Sequence, residues 1–531
     1  HSALYPLSAL FYILPLTRAY GLFTVLQLWL AGAFMYLFGR VLRQGRFPAL
    51  IAGITYQLSA FFLVSVVFSM IIAAAAWLPL LLAIVEMMVR KQEDKGAGPF
   101  VPIIYVIGGA IALGIHILAG HPEILVYTLL VTAGYALIRL IMLWRRVGTW
   151  RPALRLGLWL GAMVALGLGL GAIQLIPLFE LVTRNFRQGS VTYADVVGWA
   201  YPTRQVLTFV IPDFFGNPAQ HGYWDLVSRQ WVAVDRIFWG IKNYVEAGSY
   251  VGILPLVLAL VAIVPLRRTF KRERPPEDRR HVWIFAGLAG ASLLLVFGTP
   301  LYALLYYGLP GISQLHSPFR WVFPYTLSIA VLAGFGTQRL MALRQASGVD
   351  GDRESRDPGV YRPWVSLLTW GAFWGGAALL VGLAVVWISP QVFIPLADRF
   401  LATVEKAQEA FGSGRMLLSY QWRNLLILAL MLTASGAVLR LSRCPIYLPR
   451  RLGRVPVWQP LALLVLALDL LVFGWGFNPA ADPAWLEFRP PSIRFLQERA
   501  AAEQPWRLTT YRPEGSTKTL NPNIPWYQGL Q

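Results

Sequence analysis

The sequence predicts an all-α polytopic membrane protein with about 12 transmembrane helices, and two observations support this fold class. Of the 531 residues, 56% are hydrophobic, and the mean hydropathy is +0.55, which is too apolar for a soluble domain. Many apolar stretches also reach the roughly 20 residues that a helix needs to cross a bilayer. The predicted spans are residues 20–39, 48–66, 68–89, 101–119, 123–143, 155–176, 248–266, 282–298, 319–341, 364–388, 421–440 and 458–476.

The basic residues predict how these spans are oriented. The net charge of +20 would suggest a nucleic-acid partner in a soluble protein, but here it is assigned to the connections between spans, and no nucleic-acid partner is predicted. Six connections hold 28 of the 46 Lys and Arg residues, and short basic connections mark the cytoplasmic side. The opposite connections are therefore expected to be extracytoplasmic. The six basic connections are residues 40–46, 90–95, 139–155, 267–280, 339–362 and 440–454.

The two chain ends predict a longer protein and an external region. The chain begins at His1 without a signal peptide, which predicts that it is part of a longer protein. Because its N-terminus is predicted to face outward and its first span to run inward, an odd number of spans is expected upstream. After the last span, SIRFLQERAAAEQ predicts a helix and WRLTTYRP a strand, as at the start of an extracytoplasmic α/β region. The predicted organisation is an N-terminal bundle with a first interfacial segment and six spans at 1–176, an extracytoplasmic loop with short helices at 177–247, a C-terminal bundle at 248–476 and the tail at 477–531.

The central loop holds the largest group of chemically active residues between two spans. It contains six carboxylates, His221 and four Trp residues. Tyr223, Trp224 and Asp225 lie together in HGYWD, and Glu246 follows in NYVEAGSY. Aromatic rings stack on the C–H faces of sugars while carboxylates accept bonds from hydroxyl groups, so these four residues are candidates for sugar binding. Aromatic belts at the membrane interface explain the rings equally well, but not the recurring carboxylates.

Three further carboxylates are candidate catalytic residues. Glu123 follows His121 in GHPE, which either caps the next helix or, with both side chains at the outer interface, forms a substrate entrance. Glu180 is either an interfacial residue or part of a cavity rim. Asp213 in IPDFFGNP either stabilises a turn or takes part in chemistry.

Basic residues near the start of the ninth span predict an anion site. His316 and Arg320 lie in LPGISQLHSPFRW, and a guanidinium at the mouth of a bundle either anchors its helix or binds a phosphate. Asp469 lies inside the last span, which makes it a functional candidate, although a structural partner is an alternative. The single cysteine, Cys444, excludes an internal disulfide and a Cys-cluster metal site. No metal site is predicted, and any divalent cation, such as Mg²⁺ or Mn²⁺, would be held by oxygen ligands.

A series of motifs gives the chain a family resemblance. In chain order these are YPLSALFYIL, ALIAGITYQLSAFFL, AAWLPLLL, GHPE, LGAIQLIPLFEL, IPDFFGNP and GTPLYALLYYGLPGISQLHSPFRW. Over most of residues 1–341 the chain resembles the bacterial YfhO-like membrane proteins, which group with the GT-C glycosyltransferases. The resemblance implies transfer of a sugar from a polyprenyl-phosphate donor at the outer face of the bacterial cytoplasmic membrane. It also implies that the main catalytic carboxylate precedes His1, and by position alone it carries over Glu123, Glu180, Asp213, His316 and Arg320.

Two other function classes stay open at this point. A transporter of lipid-linked molecules is disfavoured because the halves show no repeat and the polar residues concentrate toward one face. A non-catalytic subunit of a larger membrane complex would use the aromatic loop as a docking surface. The expected partners are membrane lipid, a lipid-linked sugar and, in the last case, other subunits.

Overall fold

The structure is a computed structural model and confirms a multi-pass, mostly helical membrane protein. Within the described part of the chain, nine helices are long and apolar enough to cross a bilayer. They correspond to nine of the twelve predicted spans: Leu16–Val41, Arg46–Val67, Ser69–Lys95, Pro122–Val147, Arg151–Leu170, Arg279–Val296, Pro318–Gln345, Pro363–Ile388 and Gly414–Leu441. The described residues are 2–96, 98–184, 191–264, 278–309, 311–315, 317–346, 363–449, 455–478, 480, 482–484 and 488–502.

The α-helices are numbered here in chain order. Helices α1 to α10 are Leu10–Ile13, Leu16–Val41, Arg46–Gln57, Ala60–Val64, Ser69–Ala75, Leu78–Lys95, Ile103–Leu118, Pro122–Val147, Arg151–Leu170 and Ala172–Thr183. Helices α11 to α21 are Tyr193–Gly198, Ile253–Ile263, Asp278–Val296, Tyr302–Gly308, Val322–Ala346, Pro363–Ile388, Pro390–Ala402, Glu405–Gln408, Gly414–Leu441, Trp458–Gly474 and Pro491–Ala502. Short 3₁₀ helices cover Pro6–Ala9, Ser65–Val67, Thr203–Phe209, Ile312–Gln314 and Pro318–Trp321.

Three of the predicted spans form shorter helices than their apolar stretches suggested. Helices α7, α12 and α20 have 16, 11 and 17 residues. The apolar stretch before α12 includes Gly252, whose backbone φ of +90° is outside the helical region and starts the helix at Ile253. Within the described residues, nine helices therefore have the length and apolar composition of a span, and the other three predicted spans are shorter apolar helices.

Helix α15 lies at the centre of the bundle and α16 at its edge. About 78% of the span that contains α15 is buried, against 17% for α16. Helix α15 packs against α3, α12 and α13, so it connects the N-terminal and C-terminal groups of helices. The described residues up to 478 form one compact unit, and the predicted boundary at residue 176 falls inside helix α10.

The described residues between α10 and α12 form a loop rather than another span. It contains α11, one 3₁₀ helix and an antiparallel hairpin of β1, Gly222–Asp225, and β2, Gln230–Ala233. The hairpin was not predicted. It packs against the first turns of α19, so the loop is attached to the C-terminal helices.

The second compact unit covers residues 479–531. Its helix α21 agrees with the helix predicted from SIRFLQERAAAEQ. The strand predicted from WRLTTYRP lies outside the described residues, as do most of the basic connection at 267–280 and the polar connection at 347–362.

Candidate functional site

Two residues that the sequence singled out separately form an ion pair at the loop end of the bundle. Arg320 Nε lies 3.3 Å from Glu123 Oε2, although 197 positions separate them. Their side chains are only 14% and 17% exposed, so the pair is largely shielded from water. We call these two residues, with His121, Lys242 and Glu246, the loop-end cluster.

Local sequence places Glu123 and Arg320 at the starts of two spans. Gly120 has a φ of +82° and ends the preceding turn, and His121 then caps α8 by accepting the Ile124 N–H at Nδ1, 3.2 Å away. Glu123 consequently occupies the first turn of α8, where a negative charge is favoured. Arg320 lies in the 3₁₀ turn that leads into α15.

The pair leaves hydrogen-bonding capacity unused. Glu123 Oε1 is buried and has no hydrogen-bond partner among the described residues. Arg320 donates only through Nε, and neither of its Nη groups bonds to a residue that the structure describes. Because a buried polar atom normally finds a partner, the Glu123 acceptor is available to a bound molecule, and the two Arg320 Nη groups can donate to the same molecule.

The end of the loop supplies two more charged residues to the cluster. Lys242 Nζ lies 5.5 Å from the centre of the Phe319 ring, and the Arg320 guanidinium lies 5.0 Å from the same ring. Burial raises the pKa of Glu246, with Glu123 adding to the rise and Lys242 and Arg320 opposing it. Lys242 and Glu246, at the end of the central loop, therefore lie close to Arg320.

Two histidines, His121 and His116, lie shortly before Glu123 in the sequence, and neither is an exposed, charged group. Burial, followed by the positive charge of Arg320, lowers the pKa of His121 to about 4, so this residue is uncharged at neutral pH. His116 is buried, with Nδ1 2.8 Å from the Ala74 carbonyl oxygen, while its Nε2 has no partner within the described chain. The histidines therefore contribute hydrogen bonding rather than charge.

Asp213 is held in a separate network within the loop. Its carboxylate accepts bonds from the Tyr244 hydroxyl, from Asn217 Nδ2 at 3.3 Å and from Gln220 Nε2 at 3.1 Å. Burial raises its pKa, and the bond from Tyr244 is the largest opposing effect. The Gly216 N–H also closes a turn on the Asp213 carbonyl, as the turn interpretation of IPDFFGNP predicted.

The three candidate sugar-binding residues of strand β1, Tyr223, Trp224 and Asp225, do not lie on the same face of the strand. Strand alternation turns Trp224, 41% exposed, away from the bundle, while Tyr223 is half-buried and Asp225 is buried against α19. Asp225 is bonded by Arg415, Ser228 and Ser419, and the bond from Arg415 holds its pKa well below the usual range. These contacts attach the hairpin to α19 and occupy the carboxylate.

The remaining predicted residues lie apart from the cluster or outside the described chain. Glu180 is exposed on α10 and pairs with Arg184 at 3.0 Å. Asp469 is buried and accepts bonds from the Tyr250 hydroxyl at 2.6 Å and the Ile253 N–H at 2.8 Å, so it has the structural partner that the sequence left as an alternative. His316 lies outside the described residues.

Sequence reasoning missed Lys242, and it missed a charged network at the opposite end of the bundle. Lys242 is a single lysine in an aromatic stretch, and no periodic pattern distinguishes it from a solvated residue. In the second network, Glu86 on α6 is fully buried and contacts Arg90, Arg139, Tyr135 and His281. Its only signal in the sequence is the spacing of four between Glu86 and Arg90.

No group of three or more His, Cys, Asp and Glu side chains in the described chain is placed to hold a metal ion. Comparison of the chain with protein-family models, with characterised proteins and with solved structures found no match. The interpretation of the cluster therefore depends on its own geometry.

Proposed function

We propose that this protein transfers a sugar from a polyprenyl-phosphate donor to an acceptor hydroxyl at the loop end of its bundle. The observation that carries the proposal is the Glu123–Arg320 pair, in which one carboxylate oxygen and two guanidinium nitrogens have no partner among the described residues. Together they supply what such a transfer requires, namely a proton acceptor and a cation for the phosphate that leaves.

The proposed reaction is a single displacement with inversion at the sugar carbon. Glu123 Oε1, rather than the upstream carboxylate that the resemblance implies, takes the proton of the acceptor hydroxyl as the oxygen of that hydroxyl forms a bond to the sugar carbon. The bond from that carbon to the phosphate oxygen breaks, and the electron pair leaves on the phosphate. Arg320 stabilises the charge that develops there through its Nη groups.

The site's surroundings support a substrate anchored in the membrane. Glu123 and Arg320 begin two helices of spanning length, so they lie where the bundle meets the loop. We place this end on the extracytoplasmic side of the bacterial cytoplasmic membrane, because the basic connections lie at the other end. If α7, α12 and α20 also cross, residues 1–478 form twelve spans, as the hydropathy predicts. No step is assigned to a divalent cation.

The proposal is tested by assaying sugar transfer from a prenyl-phosphate sugar with purified variants of the full chain. Arg320→Ala is expected to lower turnover by about 10² to 10³-fold, as for loss of one stabilising donor. Glu123→Gln is expected to lower it by about 10² to 10⁴-fold, as for loss of a general base. Arg320→Lys should retain part of the activity, because it keeps the charge but loses the paired donors.

Glu180→Gln is the matched control, because it removes an exposed carboxylate that already pairs with Arg184. Its turnover should equal that of the wild type. Monodisperse elution and an unchanged melting temperature would show that each variant is folded. Wild-type turnover in folded Arg320→Ala protein would remove the arginine from the mechanism.

A further inference from the structure

Helix α17, Pro390–Ala402, directly follows the least buried span in the described part of the chain. Helix α16 ends at Ile388, and Ser389, with a φ of −133° and a ψ of 62°, separates the two helices. Only 17% of the α16 span is buried, and Trp374, Val381 and Ile388 on it are exposed. An apolar helix with so little protein around it faces lipid. Helix α17 therefore begins where a lipid-facing surface ends.

A contact between aromatic and basic side chains marks the level at which α16 leaves the bilayer. The ring centres of Trp387 and Trp422 lie 4.9 Å apart. Arg229, at the turn of the hairpin, places its guanidinium 3.9 Å from the centre of the Trp387 ring and donates to the Trp387 carbonyl. Tryptophan is enriched where spans meet the lipid headgroups, and arginine side chains there extend toward water. Because Pro390 follows Trp387 so closely, α17 starts at this level.

Helix α17 is attached to the bundle through the beginning of α19. Leu401 is buried in an apolar cluster that includes Leu417 of α19, and the Gly414 N–H donates to Asp398 Oδ1 at 2.6 Å. A Cβ atom at Gly414 would lie 2.4 Å from the Asp398 nitrogen, so the two backbones are in close contact. This attachment fixes the position of α17 and leaves the opposite side of the helix exposed.

The exposed surface of α17 has an apolar part and a polar part. At about 100° per residue, Val392, Leu396 and Phe400 fall within one quarter of the helix circumference. They are 72%, 66% and 44% exposed. Gln391 and Arg399 are exposed on the neighbouring part of the circumference. A helix surrounded by water has no use for the apolar part, and a helix inside the hydrocarbon would not carry the polar part, so the combination is typical of a helix at a membrane interface.

We propose that α17 is an interfacial helix that binds the surface of the lipid bilayer. Val392, Leu396 and Phe400 lie among the outermost segments of the acyl chains, and Arg399 lies at the level of the lipid phosphates. The lipid-facing surface of α16 thus continues onto α17. Since Arg229 joins the hairpin to Trp387, the helix also fixes the height of the hairpin above the bilayer.

The test measures the depth of nitroxide labels on α17 in the full chain, reconstituted in vesicles of phosphatidylcholine and phosphatidylglycerol. One label is attached at Leu396→Cys, and the matched controls, Gln391→Cys and Ala402→Cys, lie at the two ends of the polar part. All three variants are made in a Cys444→Ser background, which contains no other cysteine. Depth is obtained from the relative collision rates with O₂, which concentrates in hydrocarbon, and with a water-soluble nickel chelate. We expect the Leu396 label about 5–10 Å into the boundary between headgroups and acyl chains, where O₂ collisions dominate, and both control labels in contact with the chelate.

Two reference labels calibrate the measurement, at Trp374→Cys on the lipid-facing side of α16 and at Ala233→Cys on the exposed hairpin. Chelate access at Leu396 equal to that at Gln391 would place the apolar part of α17 in water and overturn the proposal. Access of neither reagent to Leu396 would show that a second copy or another subunit covers this side, and would also overturn it. Labels on both parts of α17 as deep as the Trp374 label would place the helix inside the hydrocarbon, which contradicts an interfacial position.

Discussion

Individual charged side chains inside this bundle are stabilised by one another. Glu86 shows this most clearly, since Arg139 Nε and Arg90 Nε each lie 2.7 Å from its carboxylate. The Tyr135 hydroxyl donates to the same carboxylate at 2.7 Å, and His281 Nε2 lies 3.2 Å from it. Because every oxygen has a partner, the carboxylate remains stable away from water. The network joins α6, α8 and α13 at the end opposite the loop-end cluster.

Removing the charge of Glu86 should destabilise the protein. Glu86→Gln leaves Arg139, which is 3% exposed, as a buried cation without its main partner. Loss of one member of a buried pair costs about 3–5 kcal/mol. We expect a clear fall in melting temperature in detergent, measured by intrinsic fluorescence, and a smaller loss when Glu86→Met is combined with Arg139→Met.

Glu180→Gln again serves as the control and should leave the melting temperature unchanged, because its pair with Arg184 is exposed. A Glu86→Gln protein as stable as the wild type would mean that the network does not hold the three helices together.

For single residues, the sequence predicted which charged side chains are important better than it predicted their partners. Glu123 and Arg320 were both identified from their positions at span ends, but their pairing depends on how α8 and α15 meet. Arg139 was counted with a basic connection, yet it lies within α8 and is buried against Glu86. Pairings across almost 200 residues leave no local pattern, so only the tertiary structure shows them.

Helix crossings in the C-terminal half depend on glycine. A Cβ atom at Gly376 of α16 would lie 2.6 Å from the Thr433 backbone nitrogen and 2.8 Å from the Ala429 carbonyl oxygen. On α19, a Cβ atom at Gly436 would lie 2.5 Å from the Phe373 nitrogen. The two backbones therefore touch, as membrane helices do where small residues meet.

Adding one methyl group at this crossing should separate the helices. Gly376→Ala is expected to destabilise the protein by about 1–3 kcal/mol, because rigid backbone atoms cannot move aside as a side chain could. Gly375→Ala is the control on the same helix, since its Cβ atom would meet nothing within 4 Å. Both variants change glycine to alanine on the same helix, so a difference in their melting temperatures reports packing and not helix propensity. Equal melting temperatures would contradict close contact of α16 and α19.

Hydropathy predicted the long helices and missed the short elements. Hydropathy measures how long an apolar stretch is, and it located the nine helices of spanning length. It also predicted that α12 begins before Gly252, whose positive φ ends the helical conformation there. The hairpin was missed because its turn contains no Asn-Gly or Asp-Gly pair, and Arg229 instead adopts a φ of +56°. Helix α17 was missed because it is amphipathic, with Val392, Leu396 and Phe400 exposed on one side.

At the scale of the whole molecule, described connections that the basic residues assign to the same side contact one another. At one end, Gln338 accepts a bond from the Gly45 N–H, and Arg344 donates to the Cys444 carbonyl at 2.7 Å. At the other end, the Tyr127 hydroxyl donates to the Ser317 carbonyl at 2.8 Å. The Ala60 N–H donates to the Tyr250 carbonyl. Which end faces the cytoplasm remains a prediction from the distribution of Lys and Arg.

The single native cysteine makes this orientation testable. Cys444 lies at the basic end, and Cys444→Ser provides a background without cysteine. In that background, Ala233→Cys places an exposed thiol on the hairpin and Lys91→Cys an exposed thiol at the basic end. A membrane-impermeant maleimide on intact cells should label Ala233→Cys and not Lys91→Cys, whereas both should react after permeabilisation. Labelling of Lys91→Cys alone in intact cells would place the loop-end cluster on the cytoplasmic side, where an extracytoplasmic lipid-linked sugar could not reach Glu123 and Arg320.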